Sequence, residues 1–334
     1  MAPALVSSPG PDDERREDRT VSRVLLFGAS GFIGRHVAAL LAADAELVCP
    51  SRAECDLVDV DVPALTAVLR RTRPRAVVNC AGRVSGAGHE MVAANAGVTG
   101  KLIEAVAAGA PDARLVRLGS AAEYGPVRPG EAVRETDPAN PISDYGVSQF
   151  AATRLVEIAA AAGRVDGVVL RVFNPVGPGL PVTNVLGRTA RLLRDAVDNG
   201  RDHIALGLLD THRDFVDVRD VAQAVEAVLR AVDPAERVYN VASGLAVRTR
   251  DAVEMLARAA GFTGEFRSDE LSPTAARSSG VAWMCGDISR AGKALDWAPR
   301  HGLADSMTAL WAGSDEALCA GSETAALPLP RSRR

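Results

Sequence analysis

The chain predicts an α/β protein, a doubly wound Rossmann-type parallel sheet with a smaller α/β substrate lobe. Three observations predict it. Short apolar runs alternate with amphipathic stretches of helical period, the pattern of repeated strand-helix-strand units. A glycine-rich turn, GASGFIG (Gly28–Gly34), follows the first apolar run directly and opens the next helical stretch. The composition, 47% apolar with only 4% aromatic residues, suits parallel strands covered on both faces.

In order, Val24–Phe27 reads as the first strand, followed by the glycine turn and a helix through Ala43. Glu46–Cys49 is a second strand, Pro63–Arg71 a helix, and Arg75–Asn79 a third strand. A long helix follows from His89 to Ala108, then a strand at Arg114–Leu118, a helix at Tyr145–Ala162 and a strand at Val168–Val172. Regularity falls after Asn174–Pro181, which is rich in Gly and Pro. Val185–Asn199 reads as a helix, Phe215–Val218 as a short strand, Val221–Ala231 as a helix and Val238–Val241 as a returning strand. Residues 21–178, completed by 214–243, are therefore expected to form the dinucleotide-binding domain, and 179–213 with 244–320 the substrate lobe. Residues 1–20 read as a disordered leader and 321–334 as a disordered tail.

A net charge of −4 offers no basic field for nucleic acid or an anionic membrane. No apolar run reaches the length of a membrane span, and no signal-peptide pattern is visible. The cysteines, Cys49, Cys55, Cys80, Cys285 and Cys319, lack ligand or disulfide spacing, so the expectation is reduced thiols in a cytoplasmic protein without a metal.

The turn carries the first chemistry. Gly28 permits a sharp bend, Gly31 lets backbone amides approach a pyrophosphate, and Gly34 lets the helix pack closely on the strand. Gly28, Ser30, Gly31, Phe32, Ile33 and Gly34 are accordingly expected to contact a nicotinamide dinucleotide. After the second strand, where an acidic residue would bind a ribose 2′-hydroxyl, the chain has Ser51 and Arg52. An arginine can fork onto a 2′-phosphate, so NADP(H) is favoured over NAD(H). Arg35 and His36 are placed to assist or simply to face solvent.

These motifs, with CDL (Cys55–Leu57), VVNCAG (Val77–Gly82), RVFNPVGPG (Arg171–Gly179), RDFVDVRDVAQAV (Arg213–Val225), YNVASG (Tyr239–Gly244) and DISRAGKALDWAP (Asp287–Pro299), occur in an order that resembles the extended short-chain dehydrogenase/reductases. That group contains the nucleotide-sugar epimerases, dehydratases and 4-keto reductases. The resemblance implies that Asp56 and Leu57 contact the adenine, and that Ala81 and Gly82 lie under the cofactor. It places Phe173 and Asn174 on the nicotinamide side and makes Asn95 a structural helix asparagine. It further implies that Arg213 binds a substrate diphosphate, although pairing with Asp214 or Asp217 would explain that arginine equally.

The family's catalytic set is a Ser or Thr, a Tyr, and a Lys four residues after the Tyr. Ser120 and Tyr145 match, but the lysine position is Gln149. Glutamine keeps hydrogen bonds to a ribose and supplies no charge, so Tyr145 should remain protonated near neutrality. A protonated phenol donates a proton well and accepts one poorly, which favours ketone reduction over alcohol oxidation or epimerisation. Before Tyr124, the carboxylates expected of a sugar dehydratase are replaced by Ala121 and Ala122, with Glu123 one place off. His203 and His212 fall in the substrate segment as further possible proton donors.

The leading expectation is an NADPH-dependent ketoreductase of a specialised antibiotic, polyketide or deoxysugar pathway acting on a small-molecule ketone. Its catalytic residues are Ser120, Tyr145 and Gln149, with substrate-assisted protonation as a variant. The alternatives are a nucleotide-sugar 4-ketoreductase or epimerase, and a catalytically inactive NADP-binding sensor. The apolar faces of the helices starting near His89 and Tyr145 suit either monomer burial or a homodimer.

Overall fold

A computed structural model describes residues 22–207, 209–268 and 280–313. The expected leader and tail, and Cys319, lie outside the described residues. Strands β1 (Arg23–Phe27), β2 (Glu46–Val48), β3 (Ala76–Asn79), β4 (Arg114–Ser120) and β5 (Asp166–Val172) are followed by four short strands: β6 (Pro175–Val176), β7 (His203–Leu206), β8 (His212–Asp214) and β9 (Val216–Asp217). β10 (Val238–Val241) then returns to the main sheet, and β11 (Ala246–Arg248) and β12 (Glu265–Ser268) lie beyond it. The main sheet has six parallel strands in the order β10-β5-β4-β3-β1-β2. Chain order reverses between β1 and β3. That is the switch point at which open α/β sheets leave a crevice for ligands beyond the strand carboxyl ends.

Alternation along each strand divides the core into two layers. Val24 and Leu26 of β1 and Val78 of β3 face one side. They pack there against Val37 of α1 (Phe32–Leu41) and Val221 and Val225 of α7 (Val218–Arg230). Leu25, Phe27 and Val77 face the other side. Their partners are Leu65 of α2 (Val62–Thr72), Leu102 and Val106 of α4 (Val98–Gly109), and Val156 of α5 (Asp144–Ala161). Leu65 and Leu102 are fully buried, so truncating either to alanine costs about 2–5 kcal/mol.

The helix expected from His89 to Ala108 is interrupted. It consists of α3 (Gly88–Val92), a wide π-type turn over Ala93–Gly97, and α4. The widened turn carries buried Asn95, whose amide ties Arg83 in the loop after β3 to Ser148 in α5.

The lobe has its own core, formed by α6 (Val185–Asp198), α8 (Thr249–Ala259) and, after α9 (Ser289–Leu295), α10 (Leu303–Ala312). Leu186, Leu193, Leu256, Met307 and Leu310 fill it. Beside these helices β7 pairs in parallel with β12, and β8 antiparallel with β11. One part of the expected lobe lies elsewhere: Ala291 and Leu295 of α9, with Trp297, are buried on the α1/α7 face of the Rossmann domain. Their apolar side chains, and the Trp297 indole donating to Asp220 O at 3.0 Å, hold this segment on the main sheet layer.

Candidate active site

The crevice begins at the turn after β1. Gly28 has φ +76°, a conformation glycine adopts without strain. A Cβ on Gly34 would stand 1.9 Å from Gly28 O, so the helix meets the turn too closely for any side chain. α1 starts at Gly31 with no side-chain cap, leaving its first amides for a ligand. Ser30 is exposed at this opening, while Ile33 packs toward the core and Phe32 lies edge-on to His36. These features fit the pyrophosphate of a dinucleotide.

The neighbouring expectations fall around the same crevice. Ala81 N is bonded by the Asn79 carboxamide oxygen at 3.0 Å, and Gly82 packs beside Asn95. Leu57 is buried with Cys55 on the α2/α4 side. Asp56 accepts from Val58 N and from Arg52 Nε, both at close range (2.9 and 2.8 Å). Arg52 is exposed and pairs through Nε alone, so its Nη groups have no protein partner among the described residues. Arg35 and His36 are engaged elsewhere: Arg35 donates to Gly179 O at 2.6 Å, and His36 Nε2 lies 3.1 Å from Pro178 O. They fasten the entrance of the lobe to α1.

On the nicotinamide side, Phe173 is fully buried in a cluster with Tyr124, Ala121 and Met284. Its ring is closed to a ligand, and its N–H donates to Val241 O at 2.9 Å. The Asn174 carboxamide donates to Asp214 O at 2.9 Å.

β4 ends at Ser120, and α5 begins beside it with the Ser143 hydroxyl capping Gly146 N. The Asn95–Ser148 bond, and a bond from Ser148 Oγ to Tyr145 O at 2.8 Å, fix the first turn of α5. Tyr145 is thereby brought to Ser120 and Gln149, both of which interact with its phenol. Burial raises the Tyr145 pKa above the ordinary phenol value, against the opposing pulls of Ser120, Arg117 and Gln149. The phenol therefore stays protonated at neutral pH.

The sequence reading missed what lies beneath this corner. Arg117 of β4 is 3% exposed and donates to Thr99 Oγ1 at 3.1 Å, Thr153 Oγ1 at 3.4 Å, and Gln149 Oε1. Glu123 is fully buried. Its carboxylate accepts from Ser120 N at 3.0 Å and from Arg171 Nε at 2.8 Å. It is thus turned into the protein and not toward a substrate. The available signal was a pair of arginines, Arg114 and Arg117, in a strand whose other residues through Leu118 are apolar.

Arg213 is half-buried and donates to the backbone carbonyl of His212 at 2.8 Å. Neither proposed carboxylate takes it. Asp214 is caged by Ser243, Gly244 and Gly286, and Asp217 by Arg219 and Ser306. Among the described residues Arg213 has no ion pair, and burial lowers its pKa. His212 lies against the Trp283 ring at 5.1 Å, and His203 is bonded to Asp202 at the surface. No group of three or more metal-ligating side chains exists among the described residues, and no helix there is long and apolar enough to cross a membrane. Cys49, Cys55, Cys80 and Cys285 are free thiols.

Comparison with known proteins agrees with this geometry. Residues 24–242 match the family described as NAD dependent epimerase/dehydratase. The chain is 39% identical over 311 residues to a dTDP-6-deoxy-L-talose 4-dehydrogenase (NAD(P)(+)) of Kitasatospora kifunensis, covering 89% of this chain and 96% of the relative. It is 30% identical over 304 residues to a GDP-6-deoxy-D-mannose reductase of Pseudomonas aeruginosa, covering 86% and 95%. Among solved structures it resembles RMD from Pseudomonas aeruginosa complexed with NADPH, with TM-score 0.76, 26% identity, and coverage of 88% and 98%. The chain belongs to the NAD-dependent epimerase/dehydratase family, the extended short-chain dehydrogenase/reductases, and is an NAD(P)-dependent oxidoreductase.

Proposed function

We propose that the protein reduces the 4-keto group of a nucleotide-linked 6-deoxyhexose with NADPH. The carrying observation is the first turn of α5, where bonds from Asn95 and Ser148 fix Tyr145 and Arg117 holds Gln149 one turn further on; burial raises the phenol pKa and keeps it protonated. A bound nicotinamide dinucleotide supplies the hydride. Tyr145 gives its proton to the substrate oxygen as negative charge develops there, and Ser120 hydrogen-bonds the same oxygen. Gln149 holds the ribose and the phenol by its amide. Because burial keeps the phenol protonated, reduction is the favoured direction. Glu123 is committed to Arg171 and Ser120 N, which removes it as the acid or base of a water elimination.

The substrate class rests on Arg213, a half-buried cation without a carboxylate partner among the described residues. It is suited to a diphosphate. The names of the relatives from Kitasatospora and Pseudomonas, both deoxysugar oxidoreductases, favour a nucleotide-linked sugar over the aglycone ketone that the sequence first favoured. Arg52, with its free Nη groups, supports NADPH over NADH. A homodimer is favoured by Val147, Leu155 and Ile158, exposed along one side of α5; sedimentation equilibrium reads it.

The test incubates the purified protein with NADPH and a dTDP- or GDP-linked 4-keto-6-deoxyhexose, following loss of reduced nicotinamide and identifying the alcohol by NMR. Stoichiometric alcohol formation is expected. Turnover of free ketones with none of nucleotide-linked sugars would overturn the reading.

A further inference from the structure

Arg117 is buried in the core with no ion pair among the described residues, a costly arrangement that packing alone does not require. Its donors go to neutral acceptors only, namely Thr99, Thr153 and Gln149. The nearby Glu123 is already engaged by Arg171 and Ser120 N. Arg171 is itself 3% exposed and keeps one Nη without a hydrogen-bond partner among the described residues. The cluster thus holds two guanidiniums and one carboxylate, and its net positive charge acts on Tyr145.

The bond to Gln149 also fixes an orientation. A guanidinium only donates, so the Gln149 carboxamide must present its oxygen to Arg117. Its N–H groups are then left for the Tyr145 phenol and for a ribose. Gln149 follows Tyr145 by four residues on α5, so the two side chains share one face of the helix, and Gln149 pulls the phenol pKa down.

We propose that Arg117 is the positioning residue that replaces the missing lysine: through Gln149 it aims an N–H at the Tyr145 oxygen and supplies the positive charge that stabilises the tyrosinate left after proton transfer. The two tasks of one lysine are thus divided between two side chains. The inference rests on Tyr145 being the proton donor proposed above. The step is balanced: the phenol O–H bond breaks, the proton forms an O–H bond on the reduced substrate oxygen, and water returns a proton to the tyrosinate.

Other charges around the phenol do not supply this role. Glu123, below it, opposes tyrosinate formation. Arg171 sits behind Glu123 on β5. On α3, which packs across α5, His89 is exposed and Glu90 pairs with Arg83 at 3.1 Å. On α5 itself Asp144 is exposed, and Arg154 pairs with Glu157 at 2.7 Å.

The test is a tyrosine titration by ultraviolet difference absorbance. The chain has three tyrosines, and subtracting the Tyr145→Phe protein isolates the Tyr145 component. In Arg117→Met, the Tyr145 pKa is expected to rise by about one unit. The reduction kcat should fall by roughly three- to tenfold, with KM for NADPH nearly unchanged. The double variant Arg117→Met/Gln149→Lys should restore both the titration and the rate. Gln149→Lys alone, which sets two cations in contact, should lower the melting temperature and give no gain in rate. Should Arg117→Met not fold, Arg117→Lys keeps the charge and should titrate as the parent does. The proposal is overturned if Tyr145 titrates identically in Arg117→Met and the parent, if the double variant stays as impaired as Arg117→Met, or if Arg117→Lys shifts the phenol upward as charge removal should. The titration needs no substrate. A shifted phenol in a protein that turns over no nucleotide sugar would therefore remove the proposed function and leave this relay standing.

Discussion

The cofactor side of the crevice is shaped by side chains that are missing, whereas the chemical side is shaped by charged side chains buried beneath it. At the turn, Gly28 and Gly34 let backbone meet backbone, and α1 offers uncapped amides. The corner at the end of β4 lies two strands across from this turn, and three residues beyond Arg117, which is level with Phe27 through Asn79. There Arg117, Glu123 and Arg171 stand under Ser120, Tyr145 and Gln149. Steric sites fail abruptly, because no side chain can relax past a backbone carbonyl. Electrostatic sites fail by degrees and in a pH-dependent way, because each charge contributes a share.

The largest effect expected is at the centre of the charged half. Tyr145→Phe removes the proposed proton donor and should lower kcat by about 10²- to 10⁴-fold, while NADPH binding stays nearly unchanged. Steady-state kinetics with a nucleotide-linked 4-keto sugar measures it. Retention of most activity would instead make the substrate its own proton source. The parent's pH profile sharpens the same point. Burial raises the phenol pKa above its usual value of about 10, so the protonated, reducing form persists as pH rises through neutrality and is lost only beyond that raised value. Reduction should therefore show no Tyr145 limb between about pH 6 and 9, while alcohol oxidation should climb toward alkaline pH.

The steric half is tested at Gly34. A methyl group there meets Gly28 O at 1.9 Å, so Gly34→Ala must push α1 off the turn. Overpacking of this kind costs about 1–3 kcal/mol, and on the order of 100-fold weaker NADPH binding follows at the upper end. Energy transfer from tryptophan to bound NADPH measures it, with circular dichroism to establish folding. If the variant folds and binds NADPH as the parent does, the backbone turn is not the cofactor cradle.

The difference between the two halves also sets what could be read from sequence. A glycine turn after a strand is local: GASGFIG carries its own geometry, and the parallel sheet around it followed from periodicity. Ser120, Tyr145 and Gln149 could be put forward because their spacing is local or matches a known pattern. Arg117 was not, since its partners Thr99, Gln149 and Thr153 come from two helices that no sequence window contains together with it. The lobe was legible only in α6. Its strands are two to four residues long and pair with distant segments, as in β7 with β12, so their periodic signal is too short to register. Trp297 and α9 fell to the wrong side for the same reason, because an amphipathic turn does not name the face that buries it.

The smallest effect separates NADP(H) from NAD(H). Arg52 is exposed and, among the described residues, is tied only through Nε to Asp56. Solvent and salt screen such a pair, so a 2′-phosphate meeting the free Nη groups gains only a modest preference. Arg52→Ala should weaken NADPH binding by about two- to fivefold and leave NADH binding unchanged, with the difference shrinking as salt is raised. Paired titrations of the two cofactors at low and high ionic strength measure it. An equal loss for both would make Arg52 a support of the adenine loop, acting through Asp56, and the choice between cofactors would then rest on other groups of the crevice. Because this contact is electrostatic yet lies on the cofactor side, its graded, salt-sensitive response is the sharpest check that the mode of failure follows the kind of interaction and not the place in the fold.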